Sequence, residues 1–293
     1  MATLTGRRGS FAATRGEIRK RRIIDRLMVG SMIAVTALVC SVLFIIIAYI
    51  FYRGVSYINW EFLTSNPRPV GSEGGGIVNA IVGSLILVGI ASVMAVPVGV
   101  GAAIFIGEFP SPRLQRAVRF MADVLTGVPS IVVGLFAYAL IVEPTGTFSG
   151  WAGSAALGFI IVPIVLITAQ EALRLVPGSL REAALALGVP RWRVIMLVVV
   201  PAARRALLTG LILATARALG ETAPLIFTTL GNNFWNTDPS RPLSALPLVI
   251  YRYAVGPYQE EHRQAWAAAF MLLAVVFFIS LMTRVVFRSR YEE

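Results

Sequence analysis

Charge is scarce in this 293-residue sequence: 14% of residues are charged, 57% are hydrophobic, and the mean hydropathy is +0.76. Soluble domains carry about 25% charged residues, so the chain lacks the polar surface to clothe a water-facing globule of its size. The composition predicts a polytopic membrane protein with little mass left for a soluble domain, and it excludes disorder except at the termini. Cysteine, histidine and lysine are scarcer still, one each: Cys40, His262 and Lys20. A single cysteine permits no internal disulfide. One histidine and one cysteine far apart give neither a zinc or haem constellation nor a Cys/His dyad, so no metal site is expected. Lys20 lies in Glu17-Ile18-Arg19-Lys20-Arg21-Arg22, without the G-x-x-x-x-G that precedes the lysine of a phosphate loop. H-E-x-x-H and G-x-S-x-G are missing too. The expectation is a non-catalytic chain with no cofactor of its own.

Long uncharged runs are what the sequence does have. A spanning helix needs about 20 apolar residues. Residues 27–52, 74–107, 124–142, 144–170 and 264–283 carry no charge, and 206–231 carries only Arg217 and Glu221. Pro97 interrupts the second run and Pro163 lies inside the fourth. The first run is too long for a cleavable signal and no small-residue cleavage pattern follows it. This makes six expected helices, an all-α fold, with both termini on one side.

The net charge of +11 is then a matter of position. With the N-terminus inside, residues 1–26 hold eight Lys and Arg, 108–120 three, 171–205 six and 284–293 three. The outer loops hold five: Arg53, Arg68, Arg241, Arg252 and Arg263. That asymmetry is the positive-inside pattern, with the basic tail, residues 1–26, lying along the anionic inner leaflet and partly disordered. It removes nucleic acid as the reason for the charge. The run Gly74-Gly75-Gly76 reads as a helix lead-in, because no lysine or strand accompanies it. No internal repeat is present, which weighs against many secondary carriers.

The inner loop 171–205 carries a helix written in its end signals. Pro177-Gly178 ends the fourth run, Ser179 and Glu182 have the spacing of a capping box, and Gly188 and Pro190 stand where a helix stops. Leu180, Ala183, Ala184 and Leu187 fall at i, i+3, i+4 and i+7, on one face of an eight-residue helix about 12 Å long. Two readings stay open on these grounds: an interfacial helix resting on lipid or on its own bundle, and a knob for a cytoplasmic partner.

Here the sequence resembles a family. Glu182-Ala183-Ala184, then Gly188, then Val198, Val200 and Pro201 follow the pattern E-A-A-x3-G-x9-I-x-L-P, with Val for Ile and Val for Leu. That is the signature loop of the permease subunits of bacterial ABC importers. The resemblance implies a type I importer permease with a MetI-like core over residues 77–286, a first transmembrane helix at 27–52 and a coupling loop at 171–205. It also implies that Glu182, Ala183, Ala184, Leu187, Gly188 and Pro201 couple to an ATPase, with Glu182 and Gly188 the most sensitive. Further stretches resemble the phosphate importer permeases, the PstA type more than its PstC partner: Asn66-Pro67-Arg68-Pro69, Gly74-Gly75-Gly76-Ile77, 79–84, 127–136 and 217–225. The likeness covers most of 60–285 and leaves the basic tail uncovered. It implies a PstC-like second permease, a PstB-like ATPase dimer that uses ATP and Mg, a PstS-like phosphate-binding protein, and a bacterial plasma membrane location.

Charges inside spans are costly and mark function by default. Arg217 falls near the middle of the run 206–231, with Glu221 four residues on and, in a continuous helix, on the same face. One reading is a structural ion pair. The other is an anion site, where the guanidinium fork suits phosphate oxygens and Thr222 adds a hydroxyl beside the weak points Gly220 and Pro224. Asp123 with Arg119 four residues before it reads as an interfacial anchor, and Gly127–Ser130 as a helix break that is either a packing seam or part of the path. The alternatives to a phosphate permease are a permease for another oxyanion, such as sulfate or molybdate, and a self-sufficient secondary transporter or channel. A membrane enzyme is disfavoured by the missing nucleophile and base.

Overall fold

Backbone amides in hydrocarbon must be satisfied within their own segment, and for single runs of this length only the α-helix does so. The computed structural model, described over residues 15–69, 72–108 and 111–286, contains helices and no strand among those residues. The expectations for residues 1–14 and 287–293 lie outside the described residues. In chain order the helices are α1 (Arg15–Val55), α2 (Trp60–Thr64), α3 (Val78–Glu108), α4 (Pro112–Gly127), α5 (Ser130–Thr145), α6 (Gly150–Arg174), α7 (Gly178–Ala186), α8 (Arg191–Ala218), α9 (Ala223–Thr228), α10 (Leu246–Val255) and α11 (Gln259–Val286). The chain divides into two units at Phe51/Tyr52. The first unit's helix, α1, is described from Arg15, so the charged residues from Arg15 to Arg26 are helical too.

Five helices, α1, α3, α6, α8 and α11, are long and apolar enough to cross a membrane, and a bent pair, α4 with α5, makes up to six. The six expected spans therefore hold in outline, and three of them are built differently. The expected third span, 124–142, straddles a 102° bend between α4 and α5. Val128 is extended and Pro129 has no N–H to continue the ladder, so the chain turns there, as Gly127–Ser130 suggested. Pro97, by contrast, does not interrupt α3. Its missing bond is tolerated because α6 packs against that segment. The expected fifth span, 206–231, is displaced: α8 begins at Arg191 and ends at Ala218.

Two π turns explain how proline is accommodated elsewhere. Residues Tyr138–Val142 and Ile195–Val199 widen to i→i+5 bonding, with Glu143 N–H donating to Tyr138 O and Val200 N–H to Ile195 O. Each is followed within two residues by a proline, Pro144 and Pro201. Proline removes a donor and clashes with the carbonyl four residues back, and the wider turn relieves both.

The second unit is held by α3 against α6. Ala91, Ala95, Gly99 and Ala103 repeat every four residues along α3 and are buried. Leu157, Ile161 and Val165 of α6 pack with this stripe. Small residues at that spacing let helices approach where lipid supplies no hydrophobic drive. A second cluster joins Phe62, Ile77, Val249 and Tyr253 to Ala265 and Ala268 of α11. The glycine lead-in is tied down, with Gly74 N–H donating to Glu260 at 3.3 Å and Gly75 N–H to Glu61 at 3.4 Å.

Residues 219–245 return into the second unit rather than forming only an outer loop. Leu246 N–H donates to Ser84 Oγ at 2.8 Å, and Asn79 Nδ2 donates to Asn232 O at 2.6 Å. Between them Gly83 faces Ser244 so closely that a Cβ there would lie 2.1 Å from its carbonyl oxygen. Gly83→Ala should therefore displace this segment and cost about 1–3 kcal/mol, read as a lower midpoint of thermal unfolding in detergent. Gly89→Ala, with nothing within 4 Å, is the control and should leave the midpoint unchanged. Equal midpoints for the two variants would show that the contact does not hold the segment.

Candidate functional site

Two groups of residues were expected to act, and they lie in different parts of the second unit. The first is α7. Pro177 is extended and precedes the helix without a side-chain cap, so the Ser179–Glu182 capping box is not formed. The helix starts two residues earlier than that motif requires, at Gly178, and Ser179 lies inside it. The stop signal is as expected. Gly188 has φ +74° and its N–H donates to Leu185 O at 2.9 Å, the left-handed turn that favours glycine.

The expected apolar face of α7 is divided by the structure. Ala184 is partly buried and joins the cluster of Ala172, Leu173, Val176, Val194 and Val199. Leu180, Glu182, Ala183, Leu187 and Gly188 are exposed, Leu187 at 83%. Val198 packs against the same cluster as Ala184, while Pro201 is exposed on α8.

The residue that holds α7 in place was not anticipated. Arg181 donates through Nη1 to Val176 O at 3.2 Å and through Nη2 to Leu173 O at 2.9 Å. Its Nη2 also lies 3.0 Å from Glu108 Oε1 at the end of α3. The side chains are 27% and 11% exposed, enough burial for the pair to matter more than a surface bridge. Arg181 closes the last turn of α6, whose carbonyls lack helical partners, and ties α7 to both α6 and α3. The only signal in the sequence was Glu108, a lone acid at the end of an apolar run.

The second group is Arg217, Glu221 and Thr222. The helix stops at Ala218, with Gly220 N–H bonding to Arg217 O at 3.1 Å and Glu221 N–H to Ala218 O at 3.2 Å. Glu221 therefore lies past the helix end rather than on Arg217's face, and the expected i, i+4 relation fails. Among the described residues no carboxylate lies within ion-pair distance of Arg217, which is exposed. Glu221 and Thr222 are partly buried, and Thr222 makes no side-chain cap to α9.

Arg217 is also not midway along the bundle. Its neighbour Ala218 packs with Leu87 and Leu157, nine and seven residues into α3 and α6, or about 10–14 Å from those ends at 1.5 Å per residue. The middle of the run 206–231 is not the middle of the helix, because α8 begins at Arg191 and ends at Ala218. The packing seam lies a turn beyond the break: Gly134 of α5 faces Pro224 of α9, whereas Gly127 is exposed with nothing within 4 Å. Arg119 does not pair with Asp123. It donates to Gln170 at 3.1 Å and lies 3.9 Å from Glu171, both on α6, so its anchor is another helix.

Several apolar helices, a bent pair and a short exposed helix clamped to the bundle define the class, a multi-pass α-helical membrane protein. The chain of the MetNI methionine ABC transporter, in an inward-facing structure, matches with a TM-score of 0.62 at 16% identity, covering 72% of this chain and 94% of that one. A chain of the bacterial alginate ABC transporter matches with a TM-score of 0.62 at 17% identity, covering 92% and 98%. At such identities these establish the fold alone. Sequence relatives go further: the phosphate transport system permease protein PstA of Yersinia pestis is 42% identical over 81% of each chain. That of Haemophilus influenzae is 39% identical over 92% of this chain and 96% of its own. Residues 95–290 match the family described as binding-protein-dependent transport system inner membrane component, and the chain belongs to that family, in its PstA branch.

Proposed function

We propose that this chain is one permease subunit of an ATP-driven importer of inorganic phosphate, forming half of the translocation path and coupling to an ATPase through α7. The observation that carries the reading is α7 itself. It is a short helix with Leu180, Ala183 and Leu187 exposed, Glu182 free of ion pairs among the described residues, and Arg181 anchoring its other side. A thin apolar ridge clamped to the bundle is suited to seat in a partner's groove and to transmit its movement as a rigid piece. Glu182, Ala183, Ala184, Leu187, Gly188 and Pro201 make up this coupling element. The names of the relatives supply phosphate as the substrate, and Arg217, Glu221 and Thr222 are its contacts along the path.

The partners follow from that assignment: a PstC-like permease completes the path, a PstB-like ATPase dimer uses ATP and Mg below it, and a PstS-like protein delivers phosphate from outside. The chain hydrolyses nothing itself. It comprises the tail 1–26, a first transmembrane helix at 27–52 and the permease domain at 77–286. The test is complementation. Expressed with its own partner subunits in cells lacking a high-affinity phosphate permease, the chain should restore phosphate uptake, and uptake of sulfate or molybdate instead would reassign the substrate.

Orientation is a separate prediction. Both termini are placed in the cytoplasm of a bacterial cell and His262, at the start of α11, outside. Cysteine at His262, with Cys40 replaced by serine, should react with an impermeant thiol reagent in intact cells whose outer envelope admits it. Reaction only after lysis would invert the topology.

A further inference from the structure

Beside the clamp of α7 lies a cavity of ≈ 400 Å³ that the coupling reading does not use. Arg116 and Arg119 of α4, Gln170 and Arg174 of α6, Arg181 of α7 and Glu108 of α3 line it. Four guanidinium groups thus face one carboxylate in the lining. Glu171 offsets part of the excess from the side, at 3.0 Å from Arg174 and 3.9 Å from Arg119, and positive charge remains. Arg116 donates through Nε to the carbonyl of Pro112, at 3.2 Å in its own helix, and has no ion pair among the described residues. Gln170 is 3% exposed and its Oε1 accepts from Arg119 at 3.1 Å, while the buried Nε of Arg181 has no hydrogen-bond partner. Buried donors without acceptors are costly, and most in native proteins are satisfied.

We propose that this cavity binds inorganic phosphate. Guanidinium and amide groups are donors only, which suits the oxygens of a tetrahedral anion, and charge-assisted bonds of this kind are the strong ones. Glu108 adds what a fully ionised anion cannot use. Its Oε1 is buried and makes no hydrogen bond, since Arg181 at 3.0 Å is poorly aligned with it. An acceptor of this kind takes the P–O–H of hydrogen phosphate, whereas sulfate has no proton to give. A lipid phosphodiester lacks that proton too. Leu173, 1% exposed, and Ile106, 6% exposed, supply an apolar wall on one side, which strengthens the charges' pull on an anion. Because Arg181 and Glu108 are shared by the cavity and the clamp, an occupying anion acts on the two groups that hold α7. The site is therefore placed to let phosphate on this face adjust coupling. It stands apart from Arg217 and does not depend on which anion is transported.

The test is equilibrium retention of radiolabelled inorganic phosphate. The full chain, purified through a tag with the subunits it brings, is placed in phosphatidylcholine vesicles. All samples carry Arg217→Gln, so that the proposed path contact does not contribute. Saturable retention is expected, with affinity about tenfold or more lower in Arg116→Gln/Arg174→Gln and recovered in part by Arg116→Lys/Arg174→Lys. Excess sulfate should compete poorly against wild-type Glu108 and well against Glu108→Gln. Absence of saturable retention, or equal affinity in the Arg116→Gln/Arg174→Gln variant at matched folding, overturns the site. In a second arm phosphatidylglycerol is added to the vesicles. Unchanged phosphate retention supports the free anion. Loss of retention, with phosphatidylglycerol carried through extraction on the wild-type chain but not on the double variant, makes a lipid headgroup the occupant and overturns it.

Discussion

Gly188→Val should abolish phosphate uptake while leaving the chain inserted in the membrane at normal levels. The position is open in space, with nothing within 4 Å of where a Cβ would stand, and its φ is +74°. The cost of a side chain there is thus one of backbone conformation rather than of collision. An L-residue in the left-handed region pays about 1–2 kcal/mol, and a β-branched one pays more. The turn can avoid that cost only by opening, which releases Leu187 and tilts the exposed ridge of α7. The bundle packs elsewhere and is not disturbed. The order of uptake should run wild type, Gly188→Asn, Gly188→Ala, Gly188→Val, since asparagine tolerates this conformation best. Co-purification of the ATPase should fall in the same order. Wild-type uptake by the valine variant at matched membrane levels would sink the coupling assignment.

The second large effect concerns Arg217. An uncompensated arginine costs about 3 kcal/mol at the centre of a membrane helix on insertion scales and less toward its end, and no carboxylate pairs with Arg217 among the described residues. Arg217 is exposed on the isolated chain, so a partner subunit, water in a path or a passing anion must face it. Removing one charged hydrogen bond to a bound anion costs roughly 1.5–3 kcal/mol. Arg217→Gln should therefore lower uptake by about ten- to a hundredfold, with insertion and complex assembly intact. Glu221→Gln should be milder. Because the two side chains do not pair, their effects on thermal stability should add, as they do for independent sites. A double variant that regains both assembly and uptake would instead reveal a structural pair, and the anion contact would belong to the second permease.

What was readable along the chain was whatever depends on neighbours in sequence. The apolar runs announce helices because each residue's transfer into lipid is nearly a local quantity. The end of α7 was legible at Gly188 and Pro190 because a left-handed turn and a missing N–H act within a few residues. The weakness around Gly220 follows from the same local rules. The stretch 79–84 stood out only as a resemblance, and the structure gives it a reason: Asn79, Gly83 and Ser84 receive the backbone of residues 232–246.

Tertiary structure decided the rest, where a local signal has two outcomes. Pro97 and Pro129 look alike in sequence. The first is carried through by packing of α3 on α6, and the second, with an extended residue before it, turns the chain by 102°. Arg217 and Glu221 have the spacing of a pair, and the helix end between them separates their side chains. Arg181, one residue before a motif glutamate, gains its role only because the ends of α3 and α6 come within reach. By itself the sequence determined in outline where the long apolar helices run and where a short one stops, since those are sums over adjacent residues. Which breaks bend, which charges meet and which small residues touch were settled by contacts between segments far apart in the chain.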